Sequence, residues 1–392
     1  MKDVKYFVGS EEICAMPLPA YSDEALNFLS DLSSELMKMP ECRAYPDLAA
    51  AAFWCRRGNL MRLKERCPEA AIRLGRGAAF HIAPSNIPIN FAFSWFFSLL
   101  AGNANIVRLS SKHFPQVEIF CSLVKSLLPK HPEIQKRTAL ITYPADDDVT
   151  ASFCAAADAR IIWGGDETIS SIRRFPTKPR CVDVTFADRY SAAILDGDAV
   201  IKCTAPELRR LAEGFYNDTF LMDQNACSSP HILFWINGSE KAKEIFRNEL
   251  AGVVSERYEL QGMTAVDKFV RLCEDALDRP EAESVSRIRG NLIYFVRLSS
   301  IPKDGASSLR GKGGYFYEYD IASLDEAAGF VDEKFQTVTY FGVSAEDIRN
   351  VVIEKRLSGI DRIVPVGSAM DIDIIWDGYD LVRVLSRVVD AR

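Results

Sequence analysis

Hydrophobic positions in this chain change their spacing twice. In the first part they recur at helical intervals: Ala25, Phe28, Leu29, Leu32 and Leu36 share one face of a helix that Ser22 is placed to cap, and an alanine-rich helical stretch follows at residues 48–55. From Ala78 the texture becomes short β-branched runs, AAFHIA, ANIVRL, TALITY and ARIIWG, separated by amphipathic segments at 91–100, 116–128, 149–156 and 169–174. Strands alternating with helices in this way predict βαβ units and a parallel sheet. A nucleotide-like ligand is expected at the carboxyl ends of such strands, where helix N-termini and strand-end loops meet.

A second α/β unit is expected from about residue 199. It contains a helix at 206–216, the loop MDQNACSSP, a buried-looking strand HILFWI closed by Asn237-Gly238, helices at 240–256 and 266–277, and strands NLIYFVRL, TVTYFGV and RIVPV. Residues 278–286 and the glycine-rich stretch 310–314 read as surface loops. The expected division is therefore 1–198 for the N-terminal helices and a nucleotide-binding domain, 199–366 for a catalytic domain carrying a thiol, and 367–392 for a tail used in packing or oligomer contact.

Composition removes several classes of function. Lys and Arg number 47 against 54 Asp and Glu, a net charge of −7 with both signs interleaved, so the basic stripe that nucleic acid needs is absent. The N-terminus has no apolar signal region, and the most apolar stretch, 87–101, is interrupted by Pro88, Asn90 and Ser94; neither export nor a membrane span is expected. Ten cysteines without a C-x-x-C pair fit a reducing compartment, and a cytoplasmic location is expected. The four histidines are scattered, and His81 and His231 sit inside apolar runs as core residues. Asp371, Asp373 and Asp377 before Gly378 lack the acid that closes a calcium loop, so no metal is expected.

Two glycine motifs carry little. Gly75-Arg76-Gly77 precedes a strand instead of joining a strand to a helix, and Arg310-Gly311-Lys312-Gly313-Gly314 has no following Ser or Thr and no helix signal. Three other stretches carry chemistry. Asn86, between Pro84 and Pro88 at a strand end, is held as a rigid amide donor for an oxyanion or else turns back on its own backbone. Arg108 ends a strand ahead of Ser110 and Ser111, as a ribose or phosphate ligand or as a surface cation. Cys227 lies in a polar loop of small residues where a thiol can be reached, unlike Cys121 and Cys154 in amphipathic helices.

In order, these stretches resemble the aldehyde dehydrogenase superfamily, and within it the LuxC-like acyl-CoA reductases (fatty-acyl reductases), from about Gly75 to the C-terminus. The resemblance implies an α/β, aldehyde-dehydrogenase-like fold with a Rossmann-type cofactor domain and a second α/β catalytic domain. I-A-P-S-N-I-P then makes Asn86 the oxyanion donor and Ala83, Pro84 and Ser85 a cofactor wall. The segment ending R-L-S-S puts Arg108 where the superfamily carries a lysine on the adenosine ribose, with Ser110 and Ser111 beside it. Ser111 replaces an acid found in many NAD-preferring members, which favours NADPH, with NADH as the alternative. W-G-G-D-E-T places Gly164 and Gly165 against the pyrophosphate, D-Q-N-A-C-S-S-P makes Cys227 the nucleophile, and D-E-K-F-Q-T nominates Glu333 and Phe335 for the nicotinamide ribose.

The activity so implied is NADPH-dependent reduction of an acyl thioester, a fatty acyl-CoA or acyl-protein, to an aldehyde through a Cys227 acyl-enzyme. An acyl-protein synthetase or carrier protein is the implied partner, and a homo-oligomer is expected. The general-base glutamate of aldehyde-oxidising members has no counterpart near C-V-D-V-T-F-A-D-R-Y-S, where Asp183 is the nearest acid. Two alternatives stand beside this reading: an aldehyde-oxidising dehydrogenase that releases free acid, and a nucleotide-free acyl-carrying subunit of a complex.

Overall fold

Short runs that are buried at nearly every position need a covering layer on both sides, and the middle of the first sheet is built from them. Its strands are β1 (Lys5–Val8), β2 (Ala78–Ile82), β3 (Ala104–Arg108), β4 (Thr138–Thr142), β5 (Ala159–Trp163) and β6 (Val182–Phe186), in the order β1-β4-β3-β2-β5-β6. Strands β2 to β6 run parallel, and β1 closes one edge antiparallel to β4. All five residues of β2 are buried. The computed structural model describes residues 4–84 and 87–391, and it divides into one unit running up to Ala187 and from Ile372 onward, and a second at Asp188–Asp371.

In the first unit the helix α1 (Asp23–Lys38) is capped as expected: the Ala25 N–H donates to Ser22 Oγ at 3.3 Å, and Ala25, Phe28, Leu29, Leu32 and Leu36 are buried. The helix α2 (Asn90–Leu100) departs from the amphipathic expectation, since every residue from Phe91 to Leu100 is buried. Its outer face is covered by α1, by the helix Pro46–Trp54 and by the C-terminal turn Leu381–Val384, so no side is left for solvent. The Trp54 ring stacks on Phe96 and meets Phe93 and Phe97 edge-on. After β5 comes α3 (Asp166–Arg173).

The last residues are part of this unit. Ser386–Val388 pairs antiparallel with Arg73–Gly75, and Trp54 Nε1 donates to the Ile372 carbonyl at 3.0 Å. The contacts thus divide at 187 and 371, where the sequence pattern placed boundaries at 198 and 366. The reason is a strand, Tyr190–Asp196, that belongs to the interior of the second sheet.

That sheet comprises β7 (Tyr190–Asp196), β8 (Pro230–Ile236), β9 (Ala282–Ile288), β10 (Ile293–Leu298), β11 (Tyr315–Ile321), β12 (Phe335–Phe341) and β13 (Arg362–Pro365), ordered β9-β10-β11-β8-β7-β12-β13. Only β9 is antiparallel to its neighbour. Its helices include α4 (Ala205–Thr219), α5 (Glu240–Arg257) and α6 (Gly262–Asp278). Two loop expectations are corrected here. Residues 282–288 form the polar edge strand β9, whose exposed face explains its loop-like composition. Residues 310–314 stay irregular but are largely buried, with Gly311, Gly313 and Gly314 all inside. A Cβ on Gly314 would stand 2.7 Å from the Phe220 ring at a φ of +86°, so the glycine serves packing and not phosphate binding.

Charge enters this core in pairs. Glu318 on β11 has no exposed surface; it is salt-bridged to Arg247 on α5 and accepts from Trp235 Nε1 at 3.1 Å. Arg247→Met leaves that carboxylate buried and without its cation, and is expected to lower stability by about 3 kcal/mol or more. Arg297→Ala, which breaks partly exposed pairs with Glu240 and Asp320, should cost under about 1 kcal/mol. Urea unfolding of the two variants checks the contrast; equal costs would refute it.

Candidate active site

The strand order of the first sheet reverses at β2. Strands β3 and β4 lie to one side of it and β5 and β6 to the other, so the crevice at the carboxyl ends of β2 and β5 is the switch point at which open α/β sheets bind ligands. Ala83 and Pro84 follow β2 there, half-buried, and the Ala83 N–H donates to the Arg108 carbonyl at 3.1 Å. Arg108 ends β3 opposite Ile82, with its guanidinium 4.3 Å above the Tyr143 ring. No carboxylate among the described residues pairs with it. Ser110 Oγ accepts from the Lys112 N–H at 3.1 Å, and Ser111 is exposed. Gly164 follows β5, and Gly165 caps α3. The structure therefore gathers Ala83, Pro84, Arg108 and Gly164 on one sheet edge. Ser85 and Asn86 lie outside the described residues.

Gly164 is required sterically: a Cβ would sit 2.9 Å from Thr168 Cβ, so the backbone runs against the first turn of α3. That turn carries Asp166 and Glu167, which already balance the positive helix end. Behind the crevice lies a fully satisfied polar chain. Trp163 Nε1 donates to Ser94 Oγ at 3.2 Å, Ser94 lies 2.8 Å from His81 Nδ1, and His81 Nε2 lies 3.0 Å from Asn105 Oδ1. Because the Asn105 oxygen can only accept, the proton of His81 sits on Nε2. Burial lowers the His81 pKa to about 4 and that of His231 to about 3, which keeps both rings neutral in the core as expected.

Cys227 occupies the turn between α4 and β8. It is half-buried, while Ala226, Ser228 and Ser229 around it are buried. The turn begins with two non-glycine residues at positive φ, Asp223 at 51° and Gln224 at 61°. Gln224 is buried and uses its whole amide. Its Nε2 donates to the Pro230 and Tyr315 carbonyls at 3.0 and 3.1 Å, and its Oε1 accepts from the Gly314 and Tyr315 N–H groups at 3.1 and 3.2 Å. The Cys227 carbonyl accepts from Ser191 Oγ at 2.7 Å.

A second brace was invisible in the sequence. The buried Asp218 on α4 accepts from the Gly367 and Ala369 N–H groups at 2.7 and 2.8 Å, and its own carbonyl accepts from Ser229 Oγ at 2.7 Å. Burial pushes this carboxyl up to about 7, although the two N–H groups and the Arg362 charge pull the other way. Arg362 donates to the carbonyls of Ser368, Ala369 and Asp371, and the loop so held brings Met370 Sδ to 3.7 Å from Ser228 Oγ. Asp218 had no local signal, and Ser191 and Met370 stood in the sequence without an assigned role. Gln224 stood in the quoted motif but without a role.

Of the second ribose pair, Glu333 is exposed on a turn whose carbonyl takes Arg189 Nη1 at 3.1 Å. Phe335 is fully buried and packs edge-on against Tyr190 in the core, because it opens an interior strand, β12. The structure thus gives Phe335 a packing position and leaves Glu333 alone accessible. Asp183 holds Arg160 through two 2.7 Å contacts, to Nε and Nη2. Among the described residues no group of three His, Cys, Asp or Glu is placed to hold a metal, and no helix is long and apolar enough to cross a membrane.

The neutrality of His81 has a pH consequence. Between about pH 6.5 and 4 the unfolded chain binds a proton on this ring that the folded chain refuses. The stability it contributes is therefore complete above pH 6.5 and is lost as pH falls to about 4, amounting to roughly 3 kcal/mol. Imidazole nitrogen NMR should show His81 neutral and protonated on Nε2 at pH 5.5; a ring titrating near 6.5 would contradict the network.

A family model described as acyl-CoA reductase (LuxC) matches residues 13–266, a span that includes the switch-point residues and Cys227 and ends before Glu333. Curated protein sequences give no match. Solved structures give many. A variant of 1-pyrroline-5-carboxylate dehydrogenase from Thermus thermophilus aligns with TM-score 0.64 and 13% identity, covering 94% of this chain and 81% of that one. Lactaldehyde dehydrogenase from Escherichia coli gives 0.60 and 12%, over 89% and 79%. Aldehyde dehydrogenase 21 from Physcomitrella patens gives 0.59 and 12%, over 88% and 77%. At such identities the likeness is one of fold, and the fold is that of aldehyde dehydrogenases.

Proposed function

We propose, from the premise that this chain belongs to the acyl-CoA reductase (LuxC) family, that it reduces an acyl thioester to an aldehyde with NADPH through an acyl group carried on Cys227. Family and fold make it an oxidoreductase of acyl or aldehyde substrates that uses a nicotinamide cofactor. The observation that carries the finer reading is the Cys227 turn, in which the neighbours are buried and tied down while the thiol-bearing residue keeps partial exposure. Such a turn spends its ordering cost before substrate arrives, which is what a nucleophile needs.

The switch-point residues fit a dinucleotide. Gly164 has no room for a side chain, so its backbone is what the crevice offers, and among the described residues no carboxylate pairs with Arg108, whose guanidinium lies over the Tyr143 ring. With a hydroxyl at Ser111 in place of an acid, a 2′-phosphate meets a cation and no repulsion. Ala83, Pro84 and Ser85 would form the wall of that site, Ser110 would add a neutral hydrogen bond, and Glu333 would take the nicotinamide ribose. When bound, NADPH supplies the hydride.

The Cys227 thiolate attacks the carbonyl carbon of a CoA or carrier-protein thioester, and the thiol of the donor leaves with a proton. Asn86 and the Cys227 N–H donate to the oxyanion formed in that step. After reduction, the thiohemiacetal on Cys227 collapses, its hydroxyl proton leaves, and aldehyde departs as the thiolate is restored. No water is activated. Release of free acid would need a base for water, and Asp183, the acid nearest in sequence to the expected place, is committed to Arg160.

Intact-mass measurement after incubation with an acyl-CoA panel tests this reading. An adduct of one acyl group should form on the wild type and disappear with NADPH as aldehyde appears, while Cys227→Ala should show neither adduct nor aldehyde, a loss of at least about 1000-fold. An active alanine variant, or aldehyde oxidised to acid without added thiol, would end the proposal; acylation that ignores NADPH would point to an acyl-carrying subunit. Separately, Ser111→Asp should raise the KM for NADPH about tenfold or more and leave that for NADH within about threefold. Equal effects on both would remove Ser111 from cofactor choice.

A further inference from the structure

Helix α6 turns charge inward and apolar residues outward. Its buried side carries Lys268 and Asp275. Lys268 donates to the Asn291 and Leu292 carbonyls at 2.8 and 2.7 Å, and Asp275 accepts from the Tyr315 and Tyr317 hydroxyls at 2.7 and 2.6 Å. On the solvent side Met263 (74% exposed), Val266 (57%), Val270 (48%), Cys273 and Leu277 (84%) follow one another at intervals of three, four, three and four residues. That alternation is the a/d seam of a coiled coil, and Lys268 and Asp275 take the positions farthest from it. The exposed Phe269 and Ala276 lie along one edge of the seam, and Asp267, Glu274 and Asp278, also exposed, lie along the other.

Seam and Phe269 together present on the order of 500 Å² of apolar surface, more than half of what each partner of a standard interface buries. The helix has 17 residues and is about 26 Å long, enough for a contact of two heptads. The acidic edge keeps its charge. Arg271, the cation on that flank, lies 3.8 Å from Glu274 but is already engaged by Asp275 at 3.2 Å and by the Tyr317 hydroxyl at 3.0 Å. Arg279, at the C-terminal end, is shared between Asp275 and Glu281.

We propose that α6 docks an amphipathic helix of a different protein, one with an apolar seam and a row of lysines or arginines on the edge that meets Asp267 and Glu274. The charges beside a seam choose its partner, and here they reject the simpler occupants. Two antiparallel copies of α6 would set the acidic edge against itself, and two parallel copies would set it against Phe269 and Ala276, so self-pairing supplies no cation in either direction. An anionic bilayer is repelled by the same three carboxylates. A helix with a basic edge satisfies seam and edge at once. The contact lies wholly on the second unit and does not depend on the proposed chemistry.

Calorimetric titration of the full-length protein with two synthetic helical peptides of about three heptads tests it. Both peptides carry leucine along the seam; one has lysine and the other glutamate at every flanking position. The lysine peptide should bind once per chain with a Kd of about 10 μM or tighter, and the glutamate peptide at least about tenfold more weakly. Val266→Ser combined with Val270→Ser should weaken the lysine peptide about tenfold or more, and Asp267→Lys combined with Glu274→Lys should reverse the preference between the peptides. All four residues are exposed, so circular dichroism should show the fold retained. A lysine peptide that does not bind, equal binding of both peptides, or binding that neither pair of substitutions changes overturns the proposal. A wild-type dimer that the serine pair dissociates would assign the seam to a second copy, and co-sedimentation with phosphatidylcholine vesicles would assign it to lipid; either result overturns it equally.

Discussion

Two residues without a glycine's freedom, Asp223 and Gln224, turn the chain through positive φ between α4 and β8. Such a conformation costs of order 1 kcal/mol or more per residue and persists only where the surroundings over-determine it. Here the surroundings are the Gln224 amide, which joins the turn to the start of β8 and to the Gly314–Tyr315 backbone at once. The glycine-rich stretch 310–314 is then explained, since its backbone must come within hydrogen-bond reach of Gln224 and also pass the Phe220 ring. The turn that carries Cys227 is therefore fixed from beneath, by the buried Gln224 amide and the backbone it holds. Asp218 fixes it from the side, through Ser229 and through the loop that carries Met370.

The other sheet solves a similar problem with a neutral network. A parallel strand ending at a switch point leaves polar backbone to be satisfied where a ligand must also approach. The chain from Trp163 through Ser94 and His81 to Asn105 links α2 to three adjacent strands without a formal charge. A charged histidine there would require a partner, and any carboxylate supplied for it would sit behind the crevice where the proposed dinucleotide would bring its phosphates. Keeping the ring neutral removes that conflict.

How much of this could be read from the sequence depends on which residues form each element. Strands β2 to β5 were legible because their apolar runs are short and bounded, and α1 because Ser22 and its apolar face coincide. The strand β7, YSAAILD, was not: Ser191, Ala192 and Ala193 have weak strand preference, and the strand forms because both neighbours bury it. Missing it moved the expected domain boundary. The strand β11, YFYEYDI, was hidden by Glu318 and Asp320, whose partners Arg247 and Lys243 come from α5, far along the chain. Of the site, the thiol turn and Arg108 were legible as motifs. Asp218 was not, because a carboxylate accepting two N–H groups from residues 149 and 151 positions away leaves no local pattern. Phe335 was nominated from its motif, and burial in the core shows that motif and accessibility are separate properties.

The acidic first turn of α3 bears on how a dinucleotide would be held. Helix N-termini attract pyrophosphate through their dipole, but Asp166 and Glu167 already occupy that field. What remains there is geometry: the bare backbone of Gly164 beside the strand end. Anion binding must then draw its strength from elsewhere on the edge, and Arg108, unpaired with any described carboxylate, is the cation in position. This shifts the weight of recognition from the pyrophosphate, common to both nicotinamide cofactors, toward the adenosine arm, where the two differ. Charge at Arg108 beside a neutral Ser111 would place the electrostatics where the two cofactors differ, and on that physical basis the proposed reaction would prefer NADPH.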